Sequence, residues 1–111
     1  MDLNLSGKHI LITGGSKGIG LACAAAFLAE GARVSLVSRS AANLANACAQ
    51  LTAFDSSRIQ TFAADLTQAD AALAALNAAR AEFGDIDVLV NSAGAAKRTP
   101  APELTPQAWH D

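Results

Sequence analysis

The chain has no tyrosine, and its 111 residues include only three prolines, two cysteines and two histidines. Without tyrosine, no phenol is available as a general acid or base. Cys23 and Cys48 lack the spacing of a zinc site or a disulfide framework, so we expect free thiols buried on the inner faces of two helices. His9 and His110 lie at opposite ends of the chain and receive no role. We predict no metal site.

Charge of either sign is also scarce. Only 16% of the residues are charged, the net charge is −2, and the basic residues are scattered apart from Lys97-Arg98. This excludes the footprint of a nucleic-acid-binding protein. No apolar run approaches the ~18 residues of a membrane span, and the N-terminus lacks a basic segment followed by an apolar one. We therefore expect a soluble cytoplasmic protein with no membrane partner.

All three prolines follow residue 99. Pro100 and Pro102 predict an extended loop, and Thr105-Pro106 predicts the start of a further helix. Only residues 107–111 remain to form that helix, which is too short to be stable in water. We interpret the chain as a truncated part of a longer protein.

The glycines cluster near the N-terminus instead. Residues 13–20, TGGSKGIG, hold four of the eight glycines and directly follow the apolar run 9–12. Glycine tolerates positive φ and has no Cβ, so the chain can turn sharply and bring backbone N–H groups close to a pyrophosphate. A helix starting at about Gly18 would point its positive dipole end at that anion. The segment predicts dinucleotide binding, and a plain strand-to-helix turn is the alternative.

Short apolar runs alternate strictly with helical patterns along the rest of the chain. Helices are predicted over residues 18–30, from residue 40, and from an N-cap at Thr67 to Gly84. Strands are predicted over residues 8–13, 33–37, 59–63 and 86–90. This alternation indicates an α/β fold of the Rossmann type, a doubly wound parallel sheet with strand order 3-2-1-4 that is partial and ends after the fourth strand.

The helical spacing also predicts which side chains face the sheet. These are Ile19, Cys23, Ala26 and Phe27 in the first helix, Leu44, Cys48 and Leu51 in the second, and Leu73 and Leu76 in the third.

The residues after the second strand predict the kind of dinucleotide. An acidic residue about 20 positions beyond the glycine turn would hold the ribose 2′-hydroxyl of NAD, whereas a basic residue accommodates the 2′-phosphate of NADP. Ser38-Arg39 stands there. NADP(H) is therefore favoured over NAD, with ordinary solvated surface bases as the alternative.

Together, three ordered motifs resemble the short-chain dehydrogenase/reductase family over essentially the whole chain. They are TGxxxGxG at residues 13–20, Ala64-Asp65-Leu66 after the third strand, and Asn91-Ser92-Ala93-Gly94 after the fourth. The resemblance implies that residues 1–111 are the NADP-binding portion of a single-domain enzyme whose C-terminal catalytic half is absent.

The resemblance also implies individual roles. Lys17, before the second motif glycine, would favour NADP, and Asp65 would accept a hydrogen bond from the adenine amine while the Leu66 backbone lies along the ring. A helix N-terminal carboxylate is the rival reading of Asp65. Residues 91–94 resemble the family's NNAG turn beside the nicotinamide ribose, with Ser92 in place of the second asparagine. The predicted cofactor-binding residues are Gly14, Ser16, Lys17, Gly18, Ile19, Gly20, Ser38, Arg39, Asp65, Leu66, Asn91, Ala93 and Gly94.

No catalytic residue can be assigned. The family uses a serine, a Tyr-x-x-x-Lys pair and an asparagine, none of which can be placed in this chain, and Ser16 and Ser92 have no partnering base. We expect the complete protein to interconvert a small carbonyl and alcohol by hydride transfer, as a homo-oligomeric dimer or tetramer, and this chain alone to be inactive. A non-catalytic dinucleotide-binding module, such as a redox sensor, is the alternative.

The fourth strand carries a structural expectation. Val88-Leu89-Val90 is continuously apolar, as in a strand buried on both faces of a parallel sheet. Where the chain stops, this strand would be left as an unpaired edge, and we expect such an edge to promote association.

Overall fold

The computed structural model describes residues 4–14 and 16–92, in which four strands alternate with three α-helices. The strands are β1 (His9–Thr13), β2 (Arg33–Ser38), β3 (Ile59–Ala63) and β4 (Val88–Asn91), and the helices are α1 (Gly18–Ala29), α2 (Ala41–Gln50) and α3 (Ala69–Phe83), with a 3₁₀ turn at Ser56–Arg58 before β3. The predicted α/β alternation is confirmed. β4 starts two residues later than predicted.

The strands form one parallel sheet in the order β3-β2-β1-β4, as predicted. β1 pairs on both sides, so that Leu11 lies opposite Ser35 of β2 and opposite Leu89 of β4. All five residues of β1 are buried. An apolar strand buried on both faces can lie only at the middle of a sheet with helices on either side.

Side chains alternate between the two faces of the sheet. Ile10 and Leu36 belong to the larger core, which α1 and α2 cover. Leu11 and Val37 point to the other face, where Ala75 of α3 covers them. Helices on both faces confirm the doubly wound arrangement.

The predicted inner face of α1 is right for Cys23 and Phe27, which are half-buried and pack against the core, and wrong for Ile19 and Ala26. Ile19 is 78% exposed, and Ala26 is exposed as well. The buried positions are Gly20, Ala24 and Leu28, which recur every four residues. Because α1 is apolar almost all round, periodicity could not single out one face. Gly20 and Ala24 are small, so the first part of α1 can approach the sheet closely, while Leu28 fills the core near its end.

In α2 the prediction holds in part. Ser40 caps the helix, because its Oγ accepts a hydrogen bond from the Asn43 N–H at 3.1 Å. Leu44 and Leu51 are buried as predicted, but Ala47 occupies the inner position instead of Cys48. Both cysteines are free thiols and only half-buried.

The predicted inner leucines of α3 are also wrong. Leu73 is 59% exposed and Leu76 is exposed too, whereas Ala75, Ala79 and Phe83 are buried. A polar network beneath the helix accounts for the two buried alanines.

A fully buried histidine organises the sheet face under α3. His9 Nδ1 lies 2.9 Å from the Gly84 carbonyl oxygen, and Nε2 lies 2.7 Å from Ser35 Oγ. Because a carbonyl oxygen only accepts, Nδ1 carries the proton, and Nε2 of a neutral ring accepts from the Ser35 hydroxyl. The Gln60 amide donates to Ser35 Oγ at 2.8 Å and to the Ala79 carbonyl oxygen at 3.1 Å. The helix backbone must approach the sheet for this last bond, and alanine permits that approach.

Sequence reasoning assigned His9 no role, because its partners are more than 25 residues away in the chain. Phe83 completes the arrangement by packing edge-on to the His9 ring, with a centroid separation of 5.4 Å. The network therefore ties β1, β2, β3 and the end of α3 together.

The fourth strand lies at one edge of the sheet that the described residues form, with β3 at the other edge. Its side chains alternate between half-buried and exposed, and Leu89 is 62% exposed. The continuous burial that the apolar run indicated is therefore not found in this part of the chain. In the described ranges, no helix is long and apolar enough to cross a membrane.

Replacing Ser35 with alanine should test the buried network. Ser35→Ala removes the donor to His9 Nε2 and changes the side-chain volume little, so we expect a loss of about 1–3 kcal/mol in the free energy of unfolding. Urea denaturation followed by circular dichroism measures it. Ser56→Ala, at an exposed serine, is the control and should change stability by less than about 0.5 kcal/mol. Equal losses in the two variants would contradict the network's contribution.

Candidate functional site

The carboxyl ends of the strands bring most of the predicted residues to one edge of the sheet. β1 runs into the glycine turn, β2 ends at Ser38, and β4 ends at Asn91. Asp65 follows β3 by two residues. In a parallel sheet these ends share one edge, which is where ligands bind in open α/β folds. Ala93 and Gly94 lie outside the described residues.

Two glycines of the glycine turn have the positive φ values that glycine tolerates and other residues rarely adopt. Gly14 has a φ of +69°, and its N–H donates to the Val37 carbonyl oxygen at 2.7 Å. Gly18, the first residue of α1, has a φ of +54°, and a Cβ built there would meet no atom within 4 Å. The backbone at Gly18 therefore faces open space. Gly20, one turn further, is buried against the sheet.

The start of α1 carries no neutralising side chain. Lys17 is the N-cap residue and makes no side-chain capping bond, and the first turn contains no acidic residue. In contrast, α2 is capped by Ser40, and α3 carries Asp70 in its first turn. The first N–H groups of a helix lack intrahelical partners, and its dipole places partial positive charge there. Among the described α-helices, α1 alone has neither a side-chain cap nor an acid at this end.

Two serines connect the glycine turn to the end of β2. Ser16 Oγ donates to Ser38 Oγ at 3.2 Å, and Ser16 is buried. The Ser16 hydroxyl is thus part of a structural bond. An exposed base directly follows each serine in the sequence, Lys17 after Ser16 and Arg39 after Ser38.

Asp65 forms a local turn with Thr67. Its Oδ1 accepts the Thr67 N–H at 3.0 Å and the Thr67 hydroxyl at 2.7 Å. The hydroxyl hydrogen bond, then the backbone hydrogen bond, lowers the pKa of the Asp65 carboxyl below its usual 3.8, and the positive charge of Arg39 contributes further. Asp65 is therefore a carboxylate at neutral pH, and Arg39 is close enough to act on it.

This turn corrects the prediction that Thr67 caps α3. The N-cap residue is Gln68, which makes no side-chain capping bond, and the helix begins at Ala69. The hydroxyl that could have capped the helix bonds Asp65 instead. Leu66, between them, is half-buried and packs against the core cluster under α3.

The ends of β1 and β4 are joined by side chains as well as by the ladder. Thr13 Oγ1 donates to Asn91 Oδ1 at 2.9 Å, and Ser92 Oγ donates to the Thr13 carbonyl oxygen at 2.7 Å. Ser92 Oγ also lies 3.3 Å from the Gly14 carbonyl oxygen. The serine that departs from the expected asparagine therefore braces the first residue of the glycine turn.

Sequence reasoning missed three of these roles: those of Thr13, Thr67 and Ser92 as hydrogen-bonding supports. Thr67 could have been found, because an Asp-x-Thr sequence after a strand is a common turn signal. The partners of Thr13 and Ser92 are nearly 80 residues apart in the chain, so no local pattern could reveal them.

The comparison with protein families gives a match over nearly the whole chain. The family model described as short chain dehydrogenase matches residues 8–111.

Individual relatives agree with that match. D-threitol dehydrogenase of Mycolicibacterium smegmatis is 44% identical over 108 residues, covering 97% of this chain and 41% of the relative. Gluconate 5-dehydrogenase of Gluconobacter oxydans is 36% identical, covering 97% of this chain and 42% of the relative. The chain thus spans about two fifths of the length of these relatives.

A solved structure shows the same fold. L-sorbose reductase from Gluconobacter frateurii, determined with NADPH and L-sorbose, has a TM-score of 0.80 to this chain at 36% identity. The similarity covers 99% of this chain and 42% of the reductase.

The Asp65 turn has a consequence for the pH dependence of folding. The pKa of the Asp65 carboxyl is lower in the folded protein than in the unfolded chain. The carboxylate therefore stabilises the fold at pH values above the unfolded pKa, and this stabilisation is lost as the pH falls through the folded pKa. We expect a carbon-detected NMR titration to place the Asp65 midpoint below 3.8. Asp65→Asn should make the free energy of unfolding fall less steeply with pH on the acid side, because asparagine does not titrate. Urea denaturation at several pH values measures this. A midpoint at or above 3.8 would contradict the turn geometry.

Proposed function

Because this chain belongs to the short-chain dehydrogenase family, we propose that it is the dinucleotide-binding part of an NADP(H)-dependent oxidoreductase that interconverts a carbonyl and an alcohol. NADP(H), when bound, supplies or accepts the hydride, and the protein orients it. The observation that carries the proposal is the positive-φ glycine turn leading into the bare N-terminus of α1. The other residues at the same edge support it.

The glycine turn suits a pyrophosphate. The space beside Gly18 is open, and α1 offers free N–H groups and uncompensated positive dipole charge. A phosphate can approach the backbone there because no Cβ intervenes. Within the predicted site, Gly14 would form the turn, Ile19 and Gly20 would contribute backbone N–H groups, and Ser16 would hold the turn against Ser38.

The bases at this edge support NADP(H) over NAD(H). Arg39 follows the last residue of β2 directly, and Lys17 occupies the N-cap position of α1, so both side chains start from segments that the Ser16–Ser38 bond holds together. A guanidinium makes charge-assisted hydrogen bonds to phosphate, and a lysine adds a second positive charge. We propose that these two bases share the 2′-phosphate.

The remaining predicted residues fit the two rings of the dinucleotide. Asp65, an ionised acceptor after β3, would take the hydrogen bond from the adenine amine, with the Leu66 backbone along the ring. Asn91, Ala93 and Gly94 would lie beside the nicotinamide ribose, on the far side of the glycine turn. The Thr13–Asn91 bond supports this arrangement because it fixes the end of β4 against the turn.

Several features of the complete protein belong to the same proposal. The chain has no tyrosine, so we place the serine, tyrosine and lysine of the reaction outside residues 1–111. The substrate would be a small alcohol or carbonyl compound, as the names of the relatives indicate. Free thiols at Cys23 and Cys48 fit a reducing cytoplasm, and the exposed pair Leu73 and Leu76, one turn apart on α3, fits a homo-oligomer.

Substituting Gly18 and a matched glycine with alanine should separate the effect of backbone strain on stability from the effect of a new Cβ on nucleotide binding. Gly18→Ala forces alanine to a positive φ, which costs about 1–2 kcal/mol, and places a Cβ where the pyrophosphate would lie. We expect NADPH affinity, measured by fluorescence titration, to fall at least about tenfold. Gly7→Ala is the matched control, since Gly7 also has a positive φ of +75° and open space around a Cβ. It should lose similar stability and keep its affinity, and a parallel loss of affinity in both variants would argue against the phosphate site.

Reversing the charge at Arg39 should change the cofactor preference. We expect the protein to bind NADPH more tightly than NADH, and Arg39→Asp to weaken NADPH binding by about 10- to 100-fold with little effect on NADH. Isothermal titration calorimetry with both nucleotides measures this. Arg80→Asp makes the same charge change in the last turn of α3, at the opposite edge of the sheet, and should leave the preference intact. Equal affinities of the unaltered protein for NADPH and NADH would overturn the assignment.

A further inference from the structure

Thr67 commits its hydroxyl to one oxygen of Asp65 and leaves the other oxygen available. Both hydrogen bonds from Thr67, from its N–H at 3.0 Å and its hydroxyl at 2.7 Å, go to Oδ1. In the described part of the chain, no hydrogen bond reaches Oδ2 of this carboxylate. The plane of the carboxylate is therefore set from one side only.

The arrangement is not a by-product of helix capping. α3 begins one residue after Gln68 without a side-chain cap, although a threonine hydroxyl is among the preferred capping groups. The turn is closed by the Gln68 N–H, which donates to the Asp65 carbonyl oxygen at 3.0 Å. Thr67 thus stabilises the orientation of Asp65 while the start of α3 goes uncapped.

We infer that Thr67 is a positioning residue that fixes the Asp65 carboxylate so that its free oxygen selects a donor group on the adenine ring. The inference rests on the proposed function, since it assumes that Asp65 lies against the adenine of the dinucleotide. An exocyclic amine donates to a carboxylate oxygen, whereas a carbonyl oxygen at the same ring position is repelled by it. A fixed carboxylate therefore discriminates adenine from hypoxanthine, and a rotating one discriminates less.

The chain supplies a matched control for this turn. Asp55 and Ser57 form the same motif before β3, at the other edge of the sheet, with the Ser57 N–H and hydroxyl 2.9 and 2.8 Å from Asp55 Oδ1. These bonds likewise lower the pKa of the Asp55 carboxyl. Ser57→Ala therefore breaks an equivalent turn that lies away from the site.

The test compares the affinities of NADPH and its hypoxanthine analogue, in which a carbonyl oxygen replaces the amine. We expect the unaltered protein to prefer NADPH by about tenfold or more, as for one hydrogen bond to a charged group. Thr67→Val should reduce that ratio at least about threefold, while Thr67→Ser and Ser57→Ala should retain it. Because the ratio is taken within one protein, a general loss of folded material affects both nucleotides alike. The Asp65 pKa should also rise in Thr67→Val and not in Thr67→Ser.

Each outcome bears on a different claim. An unchanged ratio in Thr67→Val, with Asp65→Asn reducing it, would overturn the positioning role and leave the proposed function standing. An unchanged ratio in Asp65→Asn as well would show that Asp65 does not contact the base, and the inference would fail with that assignment. No binding of either nucleotide to the unaltered protein would overturn the proposed function and the inference together.

Discussion

The burial of β1 on both faces and its pairing on both edges is the constraint on which the rest of the described structure depends. At its carboxyl end, β1 runs into the glycine turn. There the Thr13 carbonyl oxygen accepts a hydrogen bond from Ser92, and the Thr13 hydroxyl donates one to Asn91. At its amino end, His9 holds the Gly84 carbonyl group and the Ser35 hydroxyl. A strand fixed at both ends cannot shift its register without exposing apolar side chains. The turn after it therefore starts from a fixed point, and a site built on backbone N–H groups needs that rigidity.

The two faces of the sheet are filled in different ways. Under α1 and α2, ten buried residues form a continuous apolar core. Under α3, the buried apolar cluster holds four residues, and the His9 network lies beside it. Hydrogen bonds tie α3 down where apolar contact is limited, and they act only if the helix comes close. The burial of Ala75 and Ala79 in place of leucines follows from this geometry.

Much of the fold could be predicted because its signals are local. Each strand was a short segment rich in apolar residues between helical patterns, and the order β3-β2-β1-β4 followed from right-handed crossovers. The faces of α1 and α3 could not be fully predicted from apolar spacing, since in both helices small residues occupy most of the buried positions and only one large residue, Leu28 or Phe83, joins them. At the candidate site, the glycine turn and Asp65 were visible in sequence. The supports of the glycine turn were not visible, because Thr13 and Ser92 meet only after the chain has returned to β1.

The return of β4 to the side of β1 affects the order in which the sheet can fold. The bond between Thr13 and Asn91 joins residues 78 positions apart, whereas β1 and β2 are linked through a single helix. Closing a long loop costs entropy that only the final pairing recovers, so we expect contacts of this separation to form late in folding. The amino-terminal strands can therefore assemble before the edge strand arrives, but the glycine turn acquires its last two restraints only afterwards. Any ligand that requires the finished turn would bind only the chain in which β4 is already paired, and would stabilise that pairing by mass action.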